Sequence, residues 1–426
     1  MSKNNLAWNE IFGRYDILAK ISDIGHALIT SSQINEFREA RLMTKFDHTS
    51  QLPEIFTANN LSILPTSRGE YIIGSFDTFL DFEHDTVEIS HIEFPTYLES
   101  LDYQNISSEA TAINCAFVSK ILHDFTNEEI LTPTVSGRMS SSIFNFDINS
   151  AKGNFRINVN NSQVEIDGGY EGDKSLNLIE AKNYISEDFL VRQLYYPYRL
   201  WTDKIYKPVR PIFLTYTNGI FHLREYAFRD INHYNSAVLI NQKKYAVIEG
   251  SFNIEALQEI LDKTKIIKEP EIPFPQADNF ERIINLCELL NVKDFLTKEE
   301  ITQNYDFDDR QTDYYSNAAR YLGLLEIGRD IISGQIGCYL TNKGKKIFNT
   351  NLIDRQKEFV ELIVSHAVFN QTLLSYLKNG SLPNKDEIVE IMKHSKLHNI
   401  NSASTYLRRA STITGWTNWI MNQIEE

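Results

Sequence analysis

The chain has few cysteines, no long apolar run and less positive than negative charge. Its three cysteines, Cys115, Cys287 and Cys338, are too widely separated for a disulfide framework or a zinc site. No apolar stretch approaches the roughly 20 residues that span a bilayer. The first residues also lack the basic and then apolar order of a signal peptide. The sequence therefore predicts a cytoplasmic protein in a reducing environment, without membrane insertion.

Positive charge is scarce: 42 lysines and arginines face 57 aspartates and glutamates, a formal net charge of -15. This balance argues against nucleic-acid binding over the whole surface, because phosphate contacts need Lys and Arg. A local basic face remains compatible with it, and a site that holds a divalent metal itself concentrates carboxylates. The distribution of charge along the chain is therefore more informative than its sum.

The hydrophobic pattern divides the chain into five stretches and predicts an α/β or α+β fold, a mixed sheet flanked by helices and followed by a mainly helical region. The stretches are a DNA-contacting N-terminal region over 1–100, an α/β domain over 101–267, a linker over 268–277, a winged helix domain over 278–352 and a second helical, possible winged-helix domain over 353–426. The linker is assigned because its closely spaced prolines interrupt helix and sheet. The winged helix is assigned on the order of three helices and two short strands.

The α/β domain alternates helix and sheet. Helices are predicted over 107–125, with Ser107 or Ser108 as N-cap, and over 185–201. Strands are predicted over 143–148, 154–159, 163–167 and 176–182. We expect a glycine-rich turn over 168–172 between the last two of these strands, and a further hairpin around Asn218-Gly219.

Three charged side chains of this sheet form a candidate catalytic cluster. Side chains alternate across a strand, so Glu180 and Lys182 project from one face, and a hairpin can bring Asp167 beside Glu180. Asp167 and Glu180 supply the carboxylate oxygens that Mg²⁺ prefers, and the Lys182 ammonium can orient a water or stabilise developing charge. The glycines after Asp167 leave room for a nucleic-acid backbone. The alternative is a surface hairpin in which Glu180 and Lys182 form a solvated ion pair.

Asp167 followed by Glu180-x-Lys182 resembles the motif of the PD-(D/E)xK nucleases, in particular the type II restriction endonucleases. The resemblance is firmest over residues 105–230 and implies a restriction-endonuclease-like fold. It also implies a supporting glutamate on the preceding helix, here Glu109, and a glutamine on the following helix, here Gln193. The sequence departs from the family in having Ile166 where proline precedes the aspartate. Glu165 stands two residues earlier on the same strand face, so either acid can be the ligand.

If the resemblance holds, the protein is a type II site-specific deoxyribonuclease that uses Mg²⁺ for sequence-specific double-strand cuts in DNA. It then works as a homodimer, with a DNA methyltransferase as functional partner that protects host DNA. One alternative within the nucleases is a methylation-dependent endonuclease. An alternative from another class is a non-catalytic winged-helix regulator that binds DNA and senses a ligand.

Basic and polar side chains predicted to contact DNA lie in two regions. The residues of the α/β domain are Arg138, Arg192 and Arg199, and the C-terminal ones are Arg310, Gln311, Tyr314, Asn317, Arg320, Arg408 and Arg409. Basic residues interleaved with aromatic ones after the cluster can follow a phosphate backbone, or belong to a core-facing helix with snorkelling basic ends. The segment 310–322 is the expected recognition helix, although winged helices also hold partner proteins.

Overall fold

The computed structural model describes residues 3–83, 87–247, 252–330, 333–395, 397–398, 400 and 402–424. It is a mixed α/β structure, as the sequence predicts. The chain forms two compact units: Met1–Ile92 with Ser108–Tyr216 and Ile220–Tyr245, and Glu93–Ser107 with Thr217–Gly219 and Ala246–Glu426. None of the helices in the described ranges is both long and apolar enough to cross a membrane.

Short helices and strands make up the N-terminal part of the first unit. They are α1 (Lys3–Arg14), α2 (Ile17–Ile24), β1 (His26–Thr30), α3 (Ser31–Asn35), α4 (Ala40–Met43), α5 (Glu54–Ala58), β2 (Ser62–Pro65), β3 (Glu70–Gly74), β4 (Phe79–Asp81) and β5 (Ile89–Ile92). Strands β1, β3 and β2 form a sheet in that order, and both pairings are antiparallel. Trp8, Phe12 and Phe56 pack edge to face in the core of this part.

Longer strands follow, with three helices among them. They are α6 (Glu109–Val118), α7 (Ile121–Thr126), β6 (Leu131–Ser140), β7 (Ile143–Ser150), β8 (Gly153–Asn160), β9 (Gln163–Gly172), β10 (Leu176–Lys182), β11 (Asp188–Leu190), α8 (Arg192–Thr202), β12 (Val209–Thr217), β13 (Ile220–Phe228) and β14 (Ala237–Val247). The central sheet has the strand order β5-β14-β13-β12-β10-β9-β6. It is mixed, because β10 pairs parallel to β12 and antiparallel to β9.

Strand β10 lies inside this sheet and carries the predicted acid-x-Lys motif. Each of its residues is buried, since β9 and β12 pair with its two edges and α6 and α8 pack against it. The Ser108 hydroxyl accepts a hydrogen bond from Thr111 N and caps α6, one of the two N-caps that the sequence offers. The Asn218-Gly219 turn between β12 and β13 is confirmed, with both residues at positive φ.

Three predictions in the α/β domain are wrong in detail. The helix over 107–125 is broken, because Lys120 adopts a φ of 67° between α6 and α7. The helix over 185–201 begins only at Arg192, since 188–190 form β11 and pair with β4. The glycine-rich turn over 168–172 is part of β9 instead: a Cβ on Gly168 would lie 3.2 Å from Ile113 of α6 and one on Gly169 2.7 Å from Val135 of β6. These glycines therefore allow close packing inside the unit.

The second unit is mainly helical. Its elements are α9 (Ile254–Lys263), α10 (Phe280–Lys293), β15 (Leu296–Thr297), α11 (Lys298–Asn304), α12 (Asp309–Tyr321), β16 (Leu325–Arg329), β17 (Ile336–Leu340), α13 (Asn342–Phe348), α14 (Leu352–Val364), α15 (Ala367–Asn379), α16 (Lys385–His394) and α17 (Ala403–Asn422). The predicted helix order and the two strands are confirmed, with β15 added to give the sheet order β15-β17-β16. Thr297 and Glu300 form a capping box on α11.

The predicted linker has no regular helix or strand but is firmly packed. Phe274 is only 2% exposed and stacks on Phe369. Trp416 Nε1 donates a hydrogen bond to Ala277 O over 2.7 Å. The segment is therefore part of the core of the second unit. Beyond residue 352, the described residues are helical and contain no strand, so they do not form a second wing.

Candidate active site

Strand β10 places a carboxylate and an ammonium side by side. Lys182 Nζ donates a hydrogen bond to Glu180 Oε1 over 2.6 Å. Their side chains are 7% and 10% exposed, respectively. The pair is not the solvated surface ion pair of the alternative interpretation, because both groups lie in the sheet interior. Burial of such a pair requires further polar partners, and neighbouring elements supply them.

Asp167 reaches this pair from β9. Gly168 and Gly169 pair antiparallel with Ile179 and Leu178, which brings Asp167 beside the C-terminal half of β10. Ala181 N donates a hydrogen bond to Asp167 Oδ2 over 2.9 Å. The carboxylate is therefore held at the residue between Glu180 and Lys182.

Two helices complete the group. Glu109 lies in the first turn of α6, where its Oε1 is 3.9 Å from Lys182 Nζ. Gln193 lies at the start of α8 and donates a hydrogen bond from Nε2 to Glu180 Oε1 over 2.6 Å. The structure thus brings together the five side chains predicted as catalytic: Glu109, Asp167, Glu180, Lys182 and Gln193.

The site has more carboxyl groups than its cations neutralise. Burial, with repulsion from Asp167, raises the pKa of Glu180 to about 8 despite Lys182. Burial likewise raises the pKa values of Asp167 and Glu109. Burial alone would lower the pKa of the Lys182 ammonium, but Glu180 and Asp47 outweigh it and hold that pKa well above its usual value. Lys182 therefore stays protonated, and the site favours an added cation.

Asp47 is a buried carboxylate that the sequence analysis missed and whose charge acts on Lys182. It is 7% exposed and follows α4 in the N-terminal part of the chain. Its burial raises its pKa, but the charges of Lys182 and Lys45 outweigh that effect and lower it. No spacing motif marks Asp47, since it is more than a hundred residues from β10. The only sequence feature is an Asp-His pair between an aromatic and a small polar residue.

His48 and Tyr184 fix the position of the Asp47 loop. His48 Nδ1 donates a hydrogen bond to Asp188 O over 2.6 Å, so its Nε2 can accept one from the Tyr184 hydroxyl over 2.9 Å. His48 and Asp188 belong to a buried group of ligand-type side chains that can hold a metal ion. Both imidazole nitrogens are engaged by these hydrogen bonds, so a metal on His48 would have to displace one of them.

The predicted DNA contacts of the α/β domain separate into exposed and buried groups. Arg138 is exposed on β6 and forms an ion pair with Glu165, 3.2 Å between Nε and Oε1. Arg192 is half-buried, its guanidinium lies over the Tyr196 ring, and its Nε has no hydrogen-bond partner among the described residues. The prediction for Arg199 is wrong. It is 7% exposed and donates to the carbonyls of Asn145 and Ile231, so it is part of the core.

The predicted contacts of the second unit are exposed or half-buried. On α12, Arg310 is exposed, and Tyr314, Asn317 and Arg320 are half-buried. Gln311 instead closes the capping box of this helix, since its Oε1 accepts from Asp308 N. On α17, Arg408 is exposed and Arg409 interacts electrostatically with Tyr314.

Three family profiles match consecutive parts of the chain, and each describes a domain of unknown function: DUF6996 over residues 5–73, DUF6997 over 74–246 and DUF7226 over 282–425. Searches of the curated proteins and of the solved structures gave no match. The five predicted catalytic residues fall within the DUF6997 match. Asp47 falls within the DUF6996 match, and α12 and α17 within the DUF7226 match.

Proposed function

We propose that the protein is a Mg²⁺-dependent endonuclease of the PD-(D/E)xK type, with a restriction-endonuclease-like catalytic domain, that makes sequence-specific double-strand cuts in DNA. The observation that carries the proposal is the convergence of Glu109, Asp167, Glu180 and Gln193 on one buried lysine, Lys182. A purely structural sheet has no need of such a group, because burying several carboxyls beside one ammonium costs desolvation energy.

The donor set suits a hard divalent cation. The carboxylates of Asp167 and Glu180 offer oxygen ligands, which Mg²⁺ prefers over nitrogen or sulfur. The raised pKa values of Glu180, Asp167 and Glu109 reflect burial and carboxyl–carboxyl repulsion, which a bound cation relieves. When bound, Mg²⁺ polarises a phosphodiester and lowers the pKa of a water.

The side chains of the site position the reacting groups and stabilise the charge that develops during cleavage. Lys182 remains protonated, so it orients the attacking water through hydrogen bonds and stabilises the developing negative charge, and it does not act as the base. Gln193 holds the Glu180 carboxylate in place through its Nε2 hydrogen bond. Glu109 sets the position of the Lys182 ammonium from the other helix.

DNA recognition is assigned to the winged helix-turn-helix elements of the second unit, with the N-terminal region contributing. Arg310, Tyr314, Asn317 and Arg320 on α12 present the polar groups that read base edges. Arg408 and Arg409 on α17 supply phosphate contacts nearby. A homodimer would supply the two sites that a double-strand cut needs, and a DNA methyltransferase would protect the host's own sites.

The test compares the full-length protein with its Glu180→Gln variant on unmethylated phage DNA, with and without Mg²⁺. Discrete fragments that need both Glu180 and Mg²⁺ support the proposal, and their ends give the recognition site. A matched control is Glu129→Gln, which removes an exposed carboxylate of the same domain. This control should cut like the native protein, because Glu129 is exposed, whereas Glu180 is buried beside Lys182.

Two other outcomes of this cleavage experiment would support a different function. Cleavage of methylated but not of unmethylated DNA would identify a methylation-dependent endonuclease with the same site. Specific DNA binding without cleavage of either substrate would contradict the nuclease proposal in favour of a winged-helix regulator.

A further inference from the structure

We propose that a cavity at the start of α8 binds a phosphate group of the DNA substrate through Arg192 and Thr78. The inference rests on the proposed function and deepens it, because the acid-x-Lys site accounts for cleavage and not for how the DNA strand is held. The walls of the cavity come from the DUF6996 match and from the DUF6997 match, and all of them belong to the first unit.

The cavity encloses about 300 Å³ of empty space, counted as far as its open mouth. Apolar side chains such as Phe46, Phe79 and Leu190 form much of its wall, and Thr78 and Arg192 line it with polar groups. Ligand pockets usually hold about 300–1,000 Å³, so this one suits a small group. Apolar walls also keep water away, which strengthens the attraction between opposite charges.

One hydroxyl of this cavity is buried without a partner. Thr78 is 1% exposed, and its Oγ1 has no hydrogen-bond partner among the described residues. Its carbonyl oxygen accepts from Val191 N over 3.1 Å and from the Tyr234 hydroxyl over 3.1 Å, which holds Thr78 against the start of α8. The Thr44 and Ser62 hydroxyls, in contrast, donate to backbone carbonyls. A buried hydroxyl without an acceptor is costly, so a ligand with acceptor atoms would satisfy Thr78.

Arg192 gives the cavity a positive charge that no carboxylate of the described residues takes up in an ion pair. Its guanidinium lies 5.7 Å from the centre of the Tyr196 ring, and its buried Nε has no hydrogen-bond partner within the described ranges. The charge of Arg192 acts on Asp47, but Asp47 forms its ion pair with Lys45, 3.7 Å from Oδ2 to Nζ. The guanidinium therefore remains available to an anion.

The N-terminus of α8 favours the same kind of ligand. Val191 precedes this helix of 11 residues, and its side chain does not cap the first N–H groups. A helix N-terminus carries partial positive charge and binds anions. The guanidinium, the threonine hydroxyl and the helix N-terminus all offer donors, so the matching ligand is an anion that only accepts, as a phosphate group does. Gln193, the next residue of α8, donates to Glu180, so the cavity and the candidate active site share the first turn of this helix.

The first measurement is binding of the full-length protein to a labelled phage DNA fragment by fluorescence anisotropy, with Ca²⁺ in place of Mg²⁺, at several salt concentrations. Arg192→Met keeps most of the side-chain stem and removes the charge, so it should weaken binding and lower the salt dependence of the binding constant by about one phosphate contact. Thr78→Val keeps the shape and removes the hydroxyl. It should weaken binding by about tenfold and leave the salt dependence unchanged, because the hydroxyl carries no charge.

Matched controls and a double variant sharpen this measurement. Arg229→Met and Thr132→Val make the same changes at exposed positions of the first unit and should bind as the native protein does. Arg192→Met combined with Thr78→Val should lose less affinity than the two single losses multiplied, because both residues hold the same phosphate group. Native affinity in both single variants overturns the inference.

A second measurement needs no variant and covers the case in which a variant does not fold. Phenylglyoxal modifies accessible arginines, and mass spectrometry locates the modified residue. DNA should protect Arg192 of the native protein from modification, and modification unchanged by DNA overturns the inference. Protection by inorganic phosphate but not by DNA would assign the cavity to a free phosphate compound and overturn the DNA contact.

Failure of this inference is distinguishable from failure of the proposed function. Cleavage by the native protein, with native DNA affinity in Arg192→Met and Thr78→Val, would refute the phosphate cavity and leave the nuclease proposal intact. Weaker DNA binding by both variants, without any Mg²⁺-dependent cleavage by the native protein, would support the cavity and refute the nuclease proposal.

Discussion

Replacing Lys182 by methionine tests whether this lysine holds the carboxyl cluster together. Methionine keeps the length and apolar character of the side chain but removes the ammonium that lies 2.6 Å from Glu180 and 3.9 Å from Glu109. Removing one partner of a buried ion pair typically costs about 3–5 kcal/mol. Because Lys182 and Glu180 are 7% and 10% exposed, we expect a loss in this range at pH 8.

The loss should depend on pH with a definite sign. Without Lys182, the pKa values of Glu180, Asp167 and Glu109 rise further above those of the unfolded chain. A raised carboxyl pKa contributes stability at pH values below the unfolded value, and that stability is lost as the pH rises through the folded value. In the native protein this window for Glu180 extends from the ordinary 4.5 to about 8, so an added shift in the variant changes stability only above pH 8. The destabilisation should therefore grow as the pH rises from 6.5 to 9.5, by up to about 1.4 kcal/mol per unit of added shift.

The assay is urea unfolding of native protein and variant at pH 6.5, 8 and 9.5, without metal. Lys152→Met, which removes an exposed lysine from the β7–β8 loop, serves as control and should change stability little at any pH. Equal destabilisation by Lys182→Met at pH 6.5 and pH 9.5 would refute the argument, because it would mean that the carboxyls do not depend on the ammonium.

Three more predictions address the site, the DNA surface and the helix caps. Gln193→Glu sets a carboxyl against Glu180 Oε1, so the pKa of Glu180 should rise and the pH profile of cleavage should move up by about one unit; an unshifted profile would exclude this contact. Arg310→Ala with Arg408→Ala should weaken DNA binding and lower the salt dependence of the binding constant by about one per residue, with the exposed Lys263→Ala as control; an unchanged slope would remove both residues from the interface. Thr297→Ala should lower the free energy of unfolding by about 1 kcal/mol in urea titrations and leave cleavage intact, because it removes the cap of α11; no loss would contradict the capping role.

Local patterns in the sequence predicted the elements that carry the motif. Alternating apolar residues predicted β10 with its bounds, and Ser108 and Asn218-Gly219 marked a helix start and a hairpin turn as the structure has them. These features are local, since a cap or tight turn depends on residues within one turn of the chain. Glu180 and Lys182 share a face for the same reason.

The sequence predictions for two glycines and one arginine were wrong, because the environment of these residues depends on contacts with segments distant in the sequence. Gly168 and Gly169 predict a turn by composition, yet they lie inside β9 because α6 and β6 approach them too closely for a side chain. Arg199 follows a basic-aromatic pattern typical of a phosphate contact, yet it is buried against backbone carbonyls. Neither outcome can be read from residues nearby in sequence.

The sequence by itself determined which side chains β10 presents, because strand alternation is a property of a few consecutive residues. Only the tertiary structure decided that this strand is paired on both edges, that the Glu180–Lys182 pair is shielded from water and that the charge of Asp47 acts on Lys182. The physical reason is that burial and charge coupling depend on packing between segments far apart in the chain. Contacts between segments so far apart in the chain depend on the packing of the whole core, and no local motif specifies them.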